Sequence, residues 1–289
     1  MNYRHHFHAG NFADVVKHLV LVQLLRALQQ KEKGFLYLDT HAGRGVYDLA
    51  AAARGDSLAR EPEWPAGVGR LWRREDLPEP AADYVRRLRA FDRNRGQGAD
   101  GPPRFYPGSP WIARMLARPQ DRLVLCEQQP EECAALKDEF LLSPRTTVEE
   151  RDGYGAVRAW LPPPERRALV LIDPPFEAQD EFAQIAAALD EGLRRLRGGV
   201  FAVWYPLTER ARVDAFFAEL LALKPPPTLE LELTIAGESS PLKLRGCGLA
   251  VINPPWQFDR AAGALLEFLG GALAQAPGGG GRVRWLVPE

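Results

Sequence analysis

Seven short runs with strand character alternate along this chain with stretches of helical periodicity, and no other feature limits the fold as much. The runs are Phe35 to Asp39, Leu123 to Glu127, Thr146 to Glu150, Ala168 to Asp173, Val200 to Tyr205, Leu229 to Ile235 and Leu249 to Asn253. Between them, apolar residues three and four apart predict helices over 13–30, 111–116, 130–141, 177–197, 210–223 and 260–274. Strands separated by crossover helices pair in parallel. The last two are the exception, because no helix fits between Ile235 and Leu249, where Gly237, Pro241, Gly246 and Gly248 are turn formers. The expectation is a Rossmann-like α/β fold whose seven-stranded sheet has an antiparallel last strand.

A chain of 289 residues with 46% hydrophobic content can bury such a sheet on both faces. Residues 47–105 fit no strand pattern but carry Tyr84, Leu88 and Phe91 at helical spacing. A structureless loop of that length is improbable in a compact domain, so an inserted helical subdomain is expected there. The rest divides into 1–46, holding the first helix and strand, and 106–289, the remainder of the same domain. The glycine run from Gly278 to Gly281 reads as a flexible connector before a short terminal segment, 282–287.

No apolar run approaches the roughly 20 residues of a membrane-spanning helix. The first residues lack the apolar core of a signal peptide, so the expectation is a cytoplasmic protein. Cys126, Cys133 and Cys247 form no CxxC pair and read as structural. The five histidines all lie within the first 41 residues, yet no HxxxH or HExxH pair accompanies them, and no metal is expected.

The strand ends carry the chemistry. Leu36-Tyr37-Leu38-Asp39 runs into the glycine turn Thr40 to Gly45 at the carboxyl edge, where open α/β sheets bind nucleotide-like ligands. The turn is not the dinucleotide fingerprint GxGxxG, since Val46, Tyr47 and Asp48 follow Gly45. Glu127 ends the second strand as a carboxylate able to accept ribose hydroxyls, or as an ordinary solvated strand end. Asp152-Gly153 follows the third strand and is either an adenine-reading corner or a simple turn. On the first helix Asp14, Lys17 and His18 share a face, as an ion-pair cluster or as one wall of a site.

The sharpest signal is Asp173-Pro174-Pro175-Phe176, directly after the buried run Ala168 to Ile172. It matches the (D/N/S)-P-P-(Y/F/W) pattern of enzymes that methylate amino groups on planar systems. An adenine N6 lone pair is delocalised into its ring and is a poor nucleophile. Asp173 can accept one N6 hydrogen and the Pro174 carbonyl the other, in a backbone whose φ is fixed by proline, while Phe176 offers a stacking face. Asn253-Pro254-Pro255-Trp256 matches the same pattern but follows the antiparallel strand, which places it at the opposite sheet edge as a structural turn.

The block Tyr3-Arg4-His5-His6-Phe7-His8-Ala9-Gly10-Asn11-Phe12-Ala13-Asp14-Val15-Val16-Lys17-His18, followed by Phe35 to Gly43, closely resembles the RlmJ family. Its members are bacterial 23S rRNA adenine-N6 methyltransferases acting at adenine 2030. The resemblance covers nearly the whole chain. It implies a class I methyltransferase fold with a small helical insertion and S-adenosyl-L-methionine as cofactor. It also implies cofactor contacts at His18, His41, Ser109, Glu127, Asp152 and Gly153, Asp173 as proton acceptor, and Tyr3, Pro174 and Phe176 at the substrate. Phe176 departs from the family's usual tyrosine, which keeps stacking and loses a hydroxyl. The implied partner is 23S rRNA, met by a monomer.

The formal net charge of −1 means that any RNA surface is local. Candidate patches are Arg70, Arg73 and Arg74, then Arg86, Arg87, Arg89, Arg93 and Arg95, and then Arg194, Arg195 and Arg197, each of which also reads as a solvated helix face. Other readings are a DNA adenine methyltransferase, an amide methyltransferase, a nicotinamide-dependent oxidoreductase and a catalytically silent RNA-binding protein. The failed dinucleotide fingerprint and the intact Asp173 weigh against the last two.

Overall fold

A computed structural model describes residues 5–53, 61–98 and 101–289. A one-turn helix α1 (His5–His8) leads into α2 (Phe12–Leu28), whose first turn is capped by the Asn11 side chain accepting from the Asp14 amide. α2 is apolar nearly all round and correspondingly buried, so it is a core helix and not a surface one. It delivers the chain to β1 (Leu36–Asp39), which is fully buried.

A second, two-stranded sheet follows, formed by β2 (Val46–Asp48) and β3 (Phe105–Pro107) in antiparallel register. Between them lie α3 (Leu49–Ala53), a 3-10 turn (Trp64–Ala66), α4 (Val68–Trp72) and α5 (Glu79–Asn94). α5 buries Tyr84, Leu88 and Phe91. The expectation of no strand near this stretch is corrected at both margins, where three-residue strands are too short to show a period.

The chain then runs through α6 (Ser109–Leu116), β4 (Arg122–Glu127), α7 (Pro130–Phe140), β5 (Thr146–Glu150), α8 (Gly153–Trp160) and β6 (Ala168–Ile172). It continues as α9 (Glu181–Arg195), β7 (Val200–Pro206), α10 (Arg210–Ala222), β8 (Thr228–Thr234), β9 (Gly246–Ile252), α11 (Phe258–Ala272) and β10 (Gly280–Val287). The main sheet is ordered β10-β8-β9-β7-β6-β1-β4-β5. β1 pairs in parallel with β4 on one side and β6 on the other, so the chain order reverses between β1 and β6. A crevice opens at such a switch point, beyond the carboxyl ends of the strands.

All seven expected strands are present, and β9 is antiparallel to both neighbours. The glycine run read as a flexible connector is corrected: Gly280 and Gly281 begin an eighth strand paired with Thr234 and Leu233. A Cβ on Gly281 would lie 2.2 Å from the Leu266 carbonyl oxygen, so this glycine serves close passage under α11. α8 was not foreseen, because Asp152-Gly153 looked like a turn. In fact the Asp152 side chain caps the helix by accepting from the Tyr154 and Gly155 amides.

Asn253 lies just past β9 with φ +54°. Its side-chain amide donates to the Arg197 and Gly199 carbonyls at 2.8 and 2.7 Å, pinning the loop before β7. This is the sheet edge away from the switch-point crevice, so the second proline-proline motif is a loop staple. Asn253→Ala is expected to lower unfolding free energy by about 1–3 kcal/mol, from the lost bonds and the left-handed backbone. Urea melts showing no loss would contradict that role.

Candidate active site

A cleft of about 1110 Å³ opens at the carboxyl edge over the switch point. Its floor comes from α2, the turn after β1, the end of β4 and the loop after β6. Of the residues singled out in the sequence, His18, His41, Ser109, Glu127, Asp173, Pro174 and Phe176 line it together. Asp152 and Gly153 do not. Asp152 caps α8, and Gly153 is pressed so close to Thr40 that a Cβ would sit 2.0 Å from the Thr40 carbonyl oxygen. Both still border the His41 side of the site, since Tyr154 stacks edge-on to His41 at 5.1 Å. Tyr3 lies outside the described residues.

Lys17 joins the two halves of the cleft. Its Nζ donates to Asp173 at 2.5 Å and pairs with Asp14 at 2.8 Å. Burial would depress this amine, but the two carboxylates outweigh it and hold the Lys17 pKa well above its ordinary value. Asp14 also accepts from the Gly10 amide, which fixes its other oxygen. The helix-face alternative is therefore resolved in favour of both readings: the ion-pair cluster is itself a wall of the cleft.

Opposite, Glu127 accepts from the Gly43 amide at 2.9 Å and the Gln129 amide at 2.7 Å. Burial raises its pKa, with both amides opposing. Gly43 and Gly45 have φ of +62° and +82°, conformations that let the turn fold back against this carboxylate. Phe176, at φ +51°, meets Trp204 and Phe182 edge-on at 5.7 and 5.0 Å, forming an aromatic wall beside Asp173. Trp204 and Phe182 were not foreseen, because each sits inside an ordinary strand or helix pattern and only the fold turns it to the cleft.

The expected basic patches are largely engaged within the protein. Arg86 and Arg87 pair with Asp83, Arg95 with Glu139, and Arg194 and Arg195 with Glu191. Among the described residues, no group of three histidines, cysteines or acids is placed to hold a metal, and no helix is long and apolar enough to cross a membrane.

The family model described as ribosomal RNA large subunit methyltransferase D, RlmJ, matches residues 32–287. The chain is 38% identical to ribosomal RNA large subunit methyltransferase J of Escherichia coli K12, with all of both chains covered. It is 39% identical to the protein of that name from Haemophilus influenzae, again over both full lengths. A crystal structure of a Legionella pneumophila protein superposes with a TM-score of 0.83 at 33% identity, covering 96% of this chain and 97% of that one.

Two groups at the β1 end, the buried Asp39 and the half-buried His41, titrate in opposite senses. Burial raises the Asp39 carboxyl from its ordinary 3.8 to about 6, against hydroxyls from Ser109 and Tyr37, with Asp173 adding to the rise. Burial lowers the His41 imidazole from 6.5 to about 4, against Asp173 and Asp152. Between pH 4 and 6 the unfolded chain releases the Asp39 proton while the native chain keeps it, so this group makes stability fall with rising pH. His41 does the reverse, because the unfolded chain alone holds its proton until about pH 6.5. Each effect is about 3 kcal/mol and the two largely cancel. Relative to wild type, Asp39→Asn is therefore expected to gain stability from pH 4 to 7, and His41→Asn to lose it. Chemical melts at both pH values decide the point, and constant offsets at the two pH values would refute the assignment.

Proposed function

The chain belongs to the RlmJ family of ribosomal RNA large subunit methyltransferases, and from that premise we propose that it methylates the exocyclic N6 amine of an adenine in 23S rRNA, adenine 2030 by family resemblance. It is an S-adenosyl-L-methionine-dependent RNA methyltransferase of class I fold. The observation that carries the N6 reading is Asp173, held by Lys17 in the same cleft as the glycine turn and Glu127.

The cleft's donor set suits S-adenosyl-L-methionine. Glu127 is a half-buried carboxylate with oxygen lone pairs left for ribose hydroxyls after its two amide bonds, and the positive-φ glycines bring backbone close to the ligand space. His18, His41, Ser109 and Glu127 would hold the cofactor, with Asp152 and Gly153 completing its border. Once bound, it supplies a methyl group on a sulfonium, an electrophile that needs only an aligned nucleophile. Tyr3, Pro174 and Phe176 are assigned to the substrate adenine.

The remaining work falls to this chain. Lys17 occupies Asp173 Oδ2, which leaves Oδ1 for an N6 hydrogen. The Pro174 carbonyl accepts the second hydrogen, and together they favour a localised lone pair on nitrogen. As the N–C bond forms, the amine's proton becomes acidic and passes to Asp173. Phe176 and Trp204 supply flat apolar surface that excludes water and stacks the base.

The domain division follows the same reading. Residues 47–105 form an inserted helical subdomain, supported by the pairing of β2 with β3, which brings the ends of this stretch together. Residues 1–46 and 106–289 form the methyltransferase domain, acting as a monomer on 23S rRNA. A DNA adenine-N6 methyltransferase is the second reading, since the Asp-Pro-Pro-Phe geometry is blind to the sugar.

Asp173→Ala is expected to cut methyl transfer by about a thousandfold or more, while S-adenosylhomocysteine still binds within a few-fold of wild type. Mass spectrometry of nucleosides from 23S rRNA treated with enzyme and labelled cofactor reads the outcome. Undiminished N6-methyladenosine in the variant would remove Asp173 from the chemistry, and label on DNA alone would select the second reading. Glu127→Ala should instead weaken cofactor binding by about tenfold or more, measured by calorimetry.

A further inference from the structure

We propose that Tyr106 is a positioning residue that holds His18 in the tautomer protonated on Nε2, with Tyr84 anchoring it from α5. The functional half of the proposal rests on the reading above, in which His18 faces the cofactor. The tautomer half stands on geometry alone.

Three buried side chains form a chain of polar atoms. The Tyr106 hydroxyl lies 2.8 Å from His18 Nδ1 and 2.7 Å from the Tyr84 hydroxyl. The His18 and Tyr106 rings stack at 5.5 Å with 29° between their planes, so the imidazole is held on its face as well as at its edge. Tyr84 and Tyr106 are at most 1% exposed, which excludes water as a substitute partner of their hydroxyls. Burial pushes both phenols far above their ordinary pKa, so each keeps its hydrogen.

Counting those hydrogens sets the direction. If Tyr84 donates to Tyr106 and Tyr106 donates to His18 Nδ1, both hydroxyl hydrogens are used. The Nδ1 atom is then the acceptor and the proton of a neutral ring sits on Nε2. In the opposite direction Nδ1–H donates to Tyr106 and Tyr106 to Tyr84. The Tyr84 hydrogen is then buried without an acceptor, because among the described residues its hydroxyl meets only Tyr106. An unmatched buried donor biases the ratio of the two tautomers by about tenfold or more. Tyr106 alone decides the direction, and Tyr84 fixes the rotation of the Tyr106 hydroxyl.

The placement gives the device its use. Tyr106 belongs to β3, whose partner β2 continues directly from the glycine turn, and His18 follows Lys17 on α2. A ring proton fixed on Nε2 makes that second nitrogen a donor, suited to an acceptor atom of the cofactor. A free imidazole would give up part of its binding to the wrong tautomer.

The test reads the apo protein first. Long-range nitrogen-proton NMR on histidine-labelled protein, with His18→Asn to assign the signals, should show His18 as the Nε2–H tautomer in wild type. Tyr106→Phe should mix the tautomers, while Tyr84→Phe should keep Nε2–H. By calorimetry, S-adenosylhomocysteine should bind about three- to tenfold more weakly to Tyr106→Phe and within about twofold of wild type to Tyr84→Phe. A wild-type His18 carrying its proton on Nδ1, or His18 signals unmoved in Tyr106→Phe, overturns the proposal. So does a tautomer shift that leaves affinity untouched, because the chain would then not serve the cofactor. The wild-type spectrum decides the tautomer even if a variant folds poorly. Wild-type protein that took up no S-adenosylhomocysteine would sink the methyltransferase reading and the cofactor half with it.

Discussion

A buried ammonium shared by one buried and one half-buried carboxylate ties the structure's longest core helix to the strand end at the cleft. Charges moved out of water cost several kcal/mol each unless they are paired and hydrogen-bonded. Here the pairing is complete on the α2 side: Lys17 meets Asp14, and Asp14 is also bonded by the Gly10 amide. The third member, Asp173, comes from the far side of the switch point, more than 150 positions away in the chain. Tying α2 to the loop after β6 and aiming the Asp173 carboxylate are consequently a single event. Neither can shift without stranding a charge.

That arrangement explains why the site sits where it does. β1 and β6 are neighbours running in the same direction, and the loops leaving them part in opposite senses. One loop carries the glycine turn, braced by Glu127, and the other carries Asp173 with its two prolines. α2 reaches across both. The cleft therefore has a nucleotide-suited side and an amine-suited side, with Lys17 spanning the seam.

The legible part of this molecule was the part written in local pattern. Seven strands, the reversed β9, the motif at Asp173 and the decoy at Asn253 all follow from short-range periodicity, turn residues and strand direction. What stayed hidden depends on contacts between distant segments. Gly280 and Gly281 look like a linker until the Leu266 carbonyl is found against Gly281, and the strands at 46–48 and 105–107 are too short to announce themselves. Trp204 and Phe182 show no local sign of a site, because an aromatic residue in a strand or helix is ordinary core material until the sheet edge is known. Asp152 shows in the sequence as an Asp-Gly turn, and its second task, capping α8, appears only when the helix that follows is seen. The arginine clusters were visible, but one of their acidic partners, Glu139 beside Arg95, comes from a separate helix.

The short pairing of β2 with β3 makes the long stretch between them, in topological terms, one oversized hairpin loop. Closing such a loop costs entropy that grows only with the logarithm of its length. Related chains are accordingly free to lengthen, trim or rebuild much of it while the switch point stays undisturbed. One position resists that freedom. The hydroxyl of Tyr84 reaches back to Tyr106, and Asp83 on the same helix accepts from Arg26 of α2, so a graft that replaced α5 wholesale would sever two polar threads from the excursion toward the helix beneath the cleft.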